Sequence, residues 1–120
     1  MLKTSQQLVQ EARERISETS VQQLQQALAD TQTILVDVRE PDEFRDGHVA
    51  QAVNLPRGVL EMKIHQLPAV MHFCEPLAAL TELAGKPVYL MCRSGARSAL
   101  AAASLQQMGL TQVYSVAGGF

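Results

Sequence analysis

The spacing of apolar residues changes several times along the chain, and each change marks an element. From Ser5 to about Arg15 the spacing is helical, with Leu8, Ala12 and Ile16 on one face and Thr4 or Ser5 placed to cap the start. A short extended piece is expected near Ile16 to Thr19. Ser20 is a second cap, and Val21, Leu24 and Leu28 predict a helix ending near Asp30. Thr33 to Val38 is different: it is short, β-branched and apolar on consecutive residues, as in a strand buried on both faces. Its polar tail, Asp37-Val38-Arg39-Glu40, marks where a loop begins. Pro41 suits the first turn of a short helix through Phe44. Gly47-His48-Val49 reads as a turn, and Ala52 to Leu55 as a third strand stopped by Pro56.

Between Gly58 and Gly85 the pattern weakens. Val59, Leu60, Met62, Ile64 and Leu67 fit one short helix. Pro76 starts another, with Leu77, Leu80 and Leu83 on one face. Pro87 to Met91 is again a buried-strand run, leading directly into Cys92-Arg93-Ser94-Gly95-Ala96-Arg97-Ser98. A helix from about Ala96 to Met108 follows, closed by Gly109, and Gln112 to Val116 is a last strand. Strands that alternate with helices imply right-handed crossovers and a mainly parallel sheet covered on both faces. Ligands of such sheets bind beyond the carboxyl ends of the strands. Asp37, Arg39, Arg57 and Cys92 all fall at or just past such ends.

Composition narrows the picture. The 120 residues make one domain, with 47% hydrophobic and 18% charged residues, a balance that argues against disorder. A net charge of −2 argues against non-specific nucleic-acid binding, so an anionic ligand needs a local cluster of positive groups. The N-terminus has no apolar signal region and no run is long enough to span a membrane. Two cysteines, Cys74 and Cys92, do not make a disulfide framework; free thiols in a reducing, cytoplasmic setting are expected. Cys74, beside Phe73, reads as a small buried hydrophobe. His65, His72 and Cys74 do not complete a ligand set, so no metal is expected.

Cys92 carries the chemistry. A cysteine between a buried strand and a helix start faces unpaired amides and the positive end of the helix dipole, which favour a thiolate. Gly95 lets the loop curl so that successive amides converge. Arg93 and Arg97 add fork-shaped cationic donors, and Ser94 and Ser98 add hydroxyls. The alternative is a buried cysteine before a solvated charged helix. It leaves the arginines unexplained, because cations oppose the dipole at a helix N-terminus.

Cys92 to Ser98 resembles the active-site loop of the rhodanese-like sulfurtransferases. Leu35 to Phe44, then Gly47-His48-Val49 and Ala52 to Pro56, is similar to the family's first signature, and Ala117-Gly118-Gly119-Phe120 to its closing one. The resemblance implies an α/β fold with a central five-stranded parallel sheet in the order 1-5-4-2-3 and helices on both faces. Strands are assigned near Ile16, Ile34, Val53, Val88 and Val113. It divides the chain into an N-terminal helical extension, residues 1–15, and the domain proper, residues 16–120. Family members commonly continue into a final helix. Here the sequence ends at Phe120, so either the chain is cut or the N-terminal helix covers the bare surface. That helix is expected to dock on the domain or to mediate homo-oligomer pairing.

The implied activity is sulfur transfer without a cofactor. A donor such as thiosulfate gives a sulfur to Cys92, and cyanide or a thiol accepts it from the persulfide. Ser94, Gly95, Ala96 and Ser98 line the cradle. Arg93 is the expected donor contact, and Arg97 shapes the loop, paired with Asp37. Asp37 and Arg39 organise the site, and Arg57 and Lys63 are candidates for its rim, the alternative being solvated surface charge. His48 is expected to hold the turn. Four residues separate Cys92 from Arg97, against five in the related phosphatases and arsenate reductases, which favours a single sulfur over a tetrahedral oxyanion. An interaction module that keeps the fold without turnover is the other class of function.

Overall fold

The computed structural model describes residues 1–119; Phe120, the last residue of the closing motif, lies outside them. Five parallel strands form one sheet in the order β1-β5-β4-β2-β3. They are β1 (Ser17–Thr19), β2 (Ile34–Asp37), β3 (Val53–Asn54), β4 (Val88–Met91) and β5 (Val113–Val116). Helices α1 (Ser5–Arg15), α2 (Val21–Ala27), α3 (Pro41–Asp46), α5 (Pro76–Leu83) and α6 (Ala96–Gln107) connect and cover them. Residues 57–66 form not one helix but three short turns: a 3-10 turn at Arg57–Val59, α4 (Leu60–Lys63) and a 3-10 turn at Ile64–Gln66. Among the described residues no helix is long and apolar enough to cross a membrane.

The two-residue period of the strands sorts the core. Ile34, Val36 and Val38, with Val88, Leu90 and Cys92, face the side covered by α4, α5 and α6. Leu35 and Met91 face the other side, where Leu24 of α2 meets them with Val116. Cys92 therefore continues the α6-facing row of β4. Serine at 115 keeps the α6-facing phase of β5 and is fully buried.

Both early helices start on capping boxes: Thr4 with Gln7 and Ser20 with Gln23. Helix α1 docks on α6, with Ala12 buried at the contact. Docking on its own domain, one of the two roles expected for this helix, is what this contact shows. Two core assignments need correction. Leu77 is 75% exposed, because Ala79 and Leu83 hold the inner face of α5. Cys74 is exposed rather than buried, in the irregular segment just before α5.

The carboxyl end of β2 is fixed by a buried ion pair. Asp37 and Arg39 are almost wholly enclosed, and Arg39 Nη2 donates to Asp37 Oδ2 at 2.8 Å and to the Gly47 carbonyl at 2.8 Å. The Arg39 amide donates to Asp37 Oδ1 at 3.0 Å, so one carboxylate organises both chain and guanidinium. Asn54 Nδ2 donates to the carbonyls of Asp37 and Arg39 at 3.0 and 2.9 Å, tying β3 to the same loop. Removing one partner of a buried pair strands the other charge. Asp37→Ala should therefore lower unfolding free energy by about 3–5 kcal/mol. Denaturant melts of the two proteins check this; a loss below about 1 kcal/mol, the range of an exposed pair, would contradict it.

Candidate active site

The site forms where β4 ends and α6 begins. Gly95 is the cap of α6 and takes a left-handed conformation at φ 91°, which lets the chain turn back under the Cys92 side chain. The Gly95 amide donates to Cys92 Sγ at 3.1 Å and the Ser98 amide at 3.4 Å. Ser98 Oγ lies 3.6 Å from the sulfur and 2.8 Å from Ser115 Oγ, so the strand that follows α6 braces the hydroxyl. Cys92 has no exposed surface.

Two opposed effects act on the thiol. Burial, the largest single influence, pushes its pKa up. The amide and hydroxyl of Ser98 and the amides of Gly95 and Ser94 together outweigh it, so Cys92 titrates below an ordinary thiol. This arrangement stabilises an anion on one sulfur atom. Such a setting suits a nucleophilic thiolate, and would equally suit a sulfur anion one atom longer.

The closing motif completes the wall. A Cβ on Gly119 would lie 1.7 Å from the Cys92 carbonyl oxygen and 2.7 Å from its carbon, so only glycine fits there. Gly95 packs against Ala117 and Gly118 of the same segment.

The arginines divide. Arg97 Nη1 donates to Glu43 Oε1 at 2.8 Å, and Nη2 to Oε2 at 3.2 Å, clamping α6 to α3. The expected pairing of Arg97 with Asp37 is therefore wrong: Asp37 is already taken by Arg39, and Glu43 presents both oxygens to the fork. The Arg97 hydrogen bond, with help from the Glu40 amide, brings Glu43 from an ordinary 4.5 down to about 2. Arg93 is exposed and lines a recess with Arg39, Asp42, Glu43, Asp46 and Gly47. Arg57 is elsewhere. It donates to Glu61 at 2.9 Å, Ser104 donates to the same carboxylate, and the group borders a cleft between α1 and the body of α6. Lys63 ends α4 and is exposed, in neither recess beside the loop. His48 donates from Nδ1 to the Phe44 carbonyl at 2.7 Å and stacks on the Phe44 ring, a fold-holding role. A cleft beside Thr33, Ile34, Leu67 and Lys86 lies at the opposite end of the strands.

Sequence reasoning missed Glu43, Asn54 and Ser115. Ser115 had a signal, a polar residue inside an otherwise apolar strand. Glu43 had none beyond being one of several acids in α3.

Comparison with known proteins places this geometry. The family model of the rhodanese-like domain matches residues 20–120, and the chain belongs to that family. It is 36% identical over 86 residues to the uncharacterised protein YqhL of Bacillus subtilis, covering 72% of this chain and 56% of that one, so it spans little more than half that relative's length. It is 32% identical over 105 residues to a sulfurtransferase of Allochromatium vinosum, covering 87% and 84%. Thiosulfate sulfurtransferase GlpE of Pseudomonas syringae is 33% identical over 95 residues, covering 79% and 76%. Among solved structures, a Rhodopseudomonas palustris protein of unknown function, described as a possible tyrosine phosphatase, superposes with TM-score 0.77 at 31% identity, covering 100% of this chain and 88% of that one.

Gly119→Ala tests the close approach. It should lower stability by about 1–3 kcal/mol, the usual cost of overpacking, and slow alkylation of Cys92 by iodoacetamide as the loop is pushed off its amides. Thermal melts and peptide mapping read both effects, and wild-type values for both would contradict the packing described.

Proposed function

We propose that the protein is a sulfurtransferase that carries a sulfane sulfur on Cys92. The observation that supports this most is the convergence of the Gly95 and Ser98 amides on one buried sulfur atom. The Cys92 thiolate attacks the outer sulfur of a donor such as thiosulfate. A sulfur–sulfur bond forms to Cys92 as the donor's own sulfur–sulfur bond breaks, and its electron pair leaves with sulfite. Cys92 is left as a persulfide anion, stabilised by the same amides. Cyanide or a thiolate then attacks the terminal sulfur, and the electron pair returns to Cys92. Atoms and charge balance in both steps without an external oxidant.

The relatives named sulfurtransferase support the class. The neighbour described as a possible phosphatase raises oxyanion chemistry instead. Two features favour sulfur. Only four residues separate Cys92 from Arg97, and Arg97, the side chain that would clasp a phosphoryl group, is engaged at both ends of its fork by Glu43. A non-catalytic module has no need to hold its cysteine below an ordinary thiol.

Mass spectrometry after thiosulfate treatment tests the reading. One sulfur should be added, on Cys92 and not on the exposed Cys74, although a bulky maleimide should label Cys74 first. Cys92→Ser should abolish thiosulfate:cyanide transfer by at least about 10³-fold, since a hydroxyl cannot form the intermediate. Hydrolysis of aryl phosphates should be negligible. Sulfur found on Cys74, or robust phosphatase turnover, would overturn the proposal.

A further inference from the structure

The N-terminal helix lies outside the residues matched by the family model, yet it lines a recess together with Ser94 and Ala96 of the Cys92 loop. Two recesses flank the Cys92 loop. One, beside α3, holds Arg93 among Asp42, Glu43 and Asp46. Its Arg39 is neutralised by Asp37, and its Glu43 by Arg97. Arg93 therefore shares this recess with two aspartates, Asp42 and Asp46, that have no ion-pair partner among the described residues, a poor setting for a dianion. The other recess, of about 450 Å³, lies between α1 and the loop and is lined by Ser5, Gln6, Gln10, Arg13, Ser94 and Ala96, with no carboxylate in its lining among the described residues.

Arg13 reaches the loop that forms the cradle. Its Nη2 lies 3.6 Å from the position a Cβ would take on Gly95, the residue whose amide donates to Cys92 Sγ at 3.1 Å. With standard backbone dimensions these two distances place the guanidinium within roughly 9 Å of the sulfur. A donor that enters on this side, its reacting sulfur about 3–3.5 Å from Sγ, would bring its anionic oxygens toward Arg13. Arg13 is held on a capped helix whose next-door Ala12 is buried against the domain. Among the described residues its ion pair is a long contact of 3.5 Å to Glu18, between side chains 37% and 35% exposed. Such a pair is weak and screened, and exchanges readily for a substrate anion.

We infer that Arg13 is the donor-recognising cation, and that an anionic sulfane donor enters between α1 and the Cys92 loop. This rests on the sulfur-transfer reading above. It makes α1 a specificity element, and it moves the principal donor contact expected at Arg93 to the opposite side of the loop.

The test is a charge series at Arg13 in the full chain: Arg13→Lys, Arg13→Gln and Arg13→Glu, with Arg93→Gln as comparator. Thiosulfate and the monoanionic donor benzenethiosulfonate are each followed over a salt series, with thermal melts to confirm unchanged folding. Arg13→Gln should raise the thiosulfate KM by about tenfold, the low end for a lost charge-assisted hydrogen bond. Arg13→Glu should raise it further and Arg13→Lys less. The kcat should stay within about twofold, the mark of lost uniform binding. The KM should lose most of its salt dependence in Arg13→Gln, and benzenethiosulfonate should respond less than thiosulfate. Wild-type KM across the Arg13 series, or a rise confined to Arg93→Gln, overturns the inference while persulfide on Cys92 leaves the sulfur-transfer reading standing. Failure of wild-type Cys92 to take sulfur from either donor overturns both.

Discussion

Everything around the site depends on keeping a few backbone amides aimed at one sulfur atom. Cys92 is enclosed, and enclosure alone opposes a charge on it. The compensation comes from peptide dipoles that the turn from β4 into α6 has already oriented, so no solvent must reorganise when the charge appears. That requires a left-handed residue at Gly95, and it requires that nothing larger than hydrogen stand at Gly119. It also requires that Ser98 be held by Ser115, which in turn needs β5 beside β4 in the sheet. The strand order and the chemistry are one constraint seen at two scales.

Charged residues near the loop are mostly spent on holding shape. Asp37 and Arg39 satisfy one another in the interior, and Glu43 and Arg97 bind α3 to α6 at the surface. The second pair survives acid well: with Glu43 near 2 against an ordinary 4.5, the stability it supplies is complete above about pH 4.5 and fades only as the pH falls toward 2. Near the loop, the side chains left for ligands are those not committed in this way. They lie on two sides with opposite character, acidic beside α3 and basic beside α1. On the reading proposed above, an anion enters this protein of net charge −2 on the side where Arg13 stands.

The fold was legible because its signals are local. The short apolar run rich in β-branched residues at Thr33 to Val38 marks a buried strand, Ser20 and Gln23 mark a helix start, and Cys92 three residues before Gly95 marks an anion-binding turn. The order of strands and the loop's role came with the family resemblance. Pairings across the structure were not legible, since the choice between Asp37 and Glu43 for Arg97 depends on how α3 is aimed, which no spacing encodes. The positions of Leu77 and Cys74 failed for a related reason. Both lie where the polypeptide passes from an irregular segment into a short helix, and small residues such as Ala79 take the inner face that larger ones were expected to fill. Arg57 follows a strand at the right end of the sheet, but the 3-10 turn that it opens carries it to the body of α6.

The most direct test of the central claim is the ionisation of Cys92 itself, read from thiolate ultraviolet absorbance against pH in a Cys74→Ser background. The amide cradle predicts a midpoint below the free-thiol value of about 8.5, moved upward when Ser98 is replaced by alanine. A midpoint at or above about 8.5, unmoved by Ser98→Ala, would show that burial wins over the amides and would contradict the account.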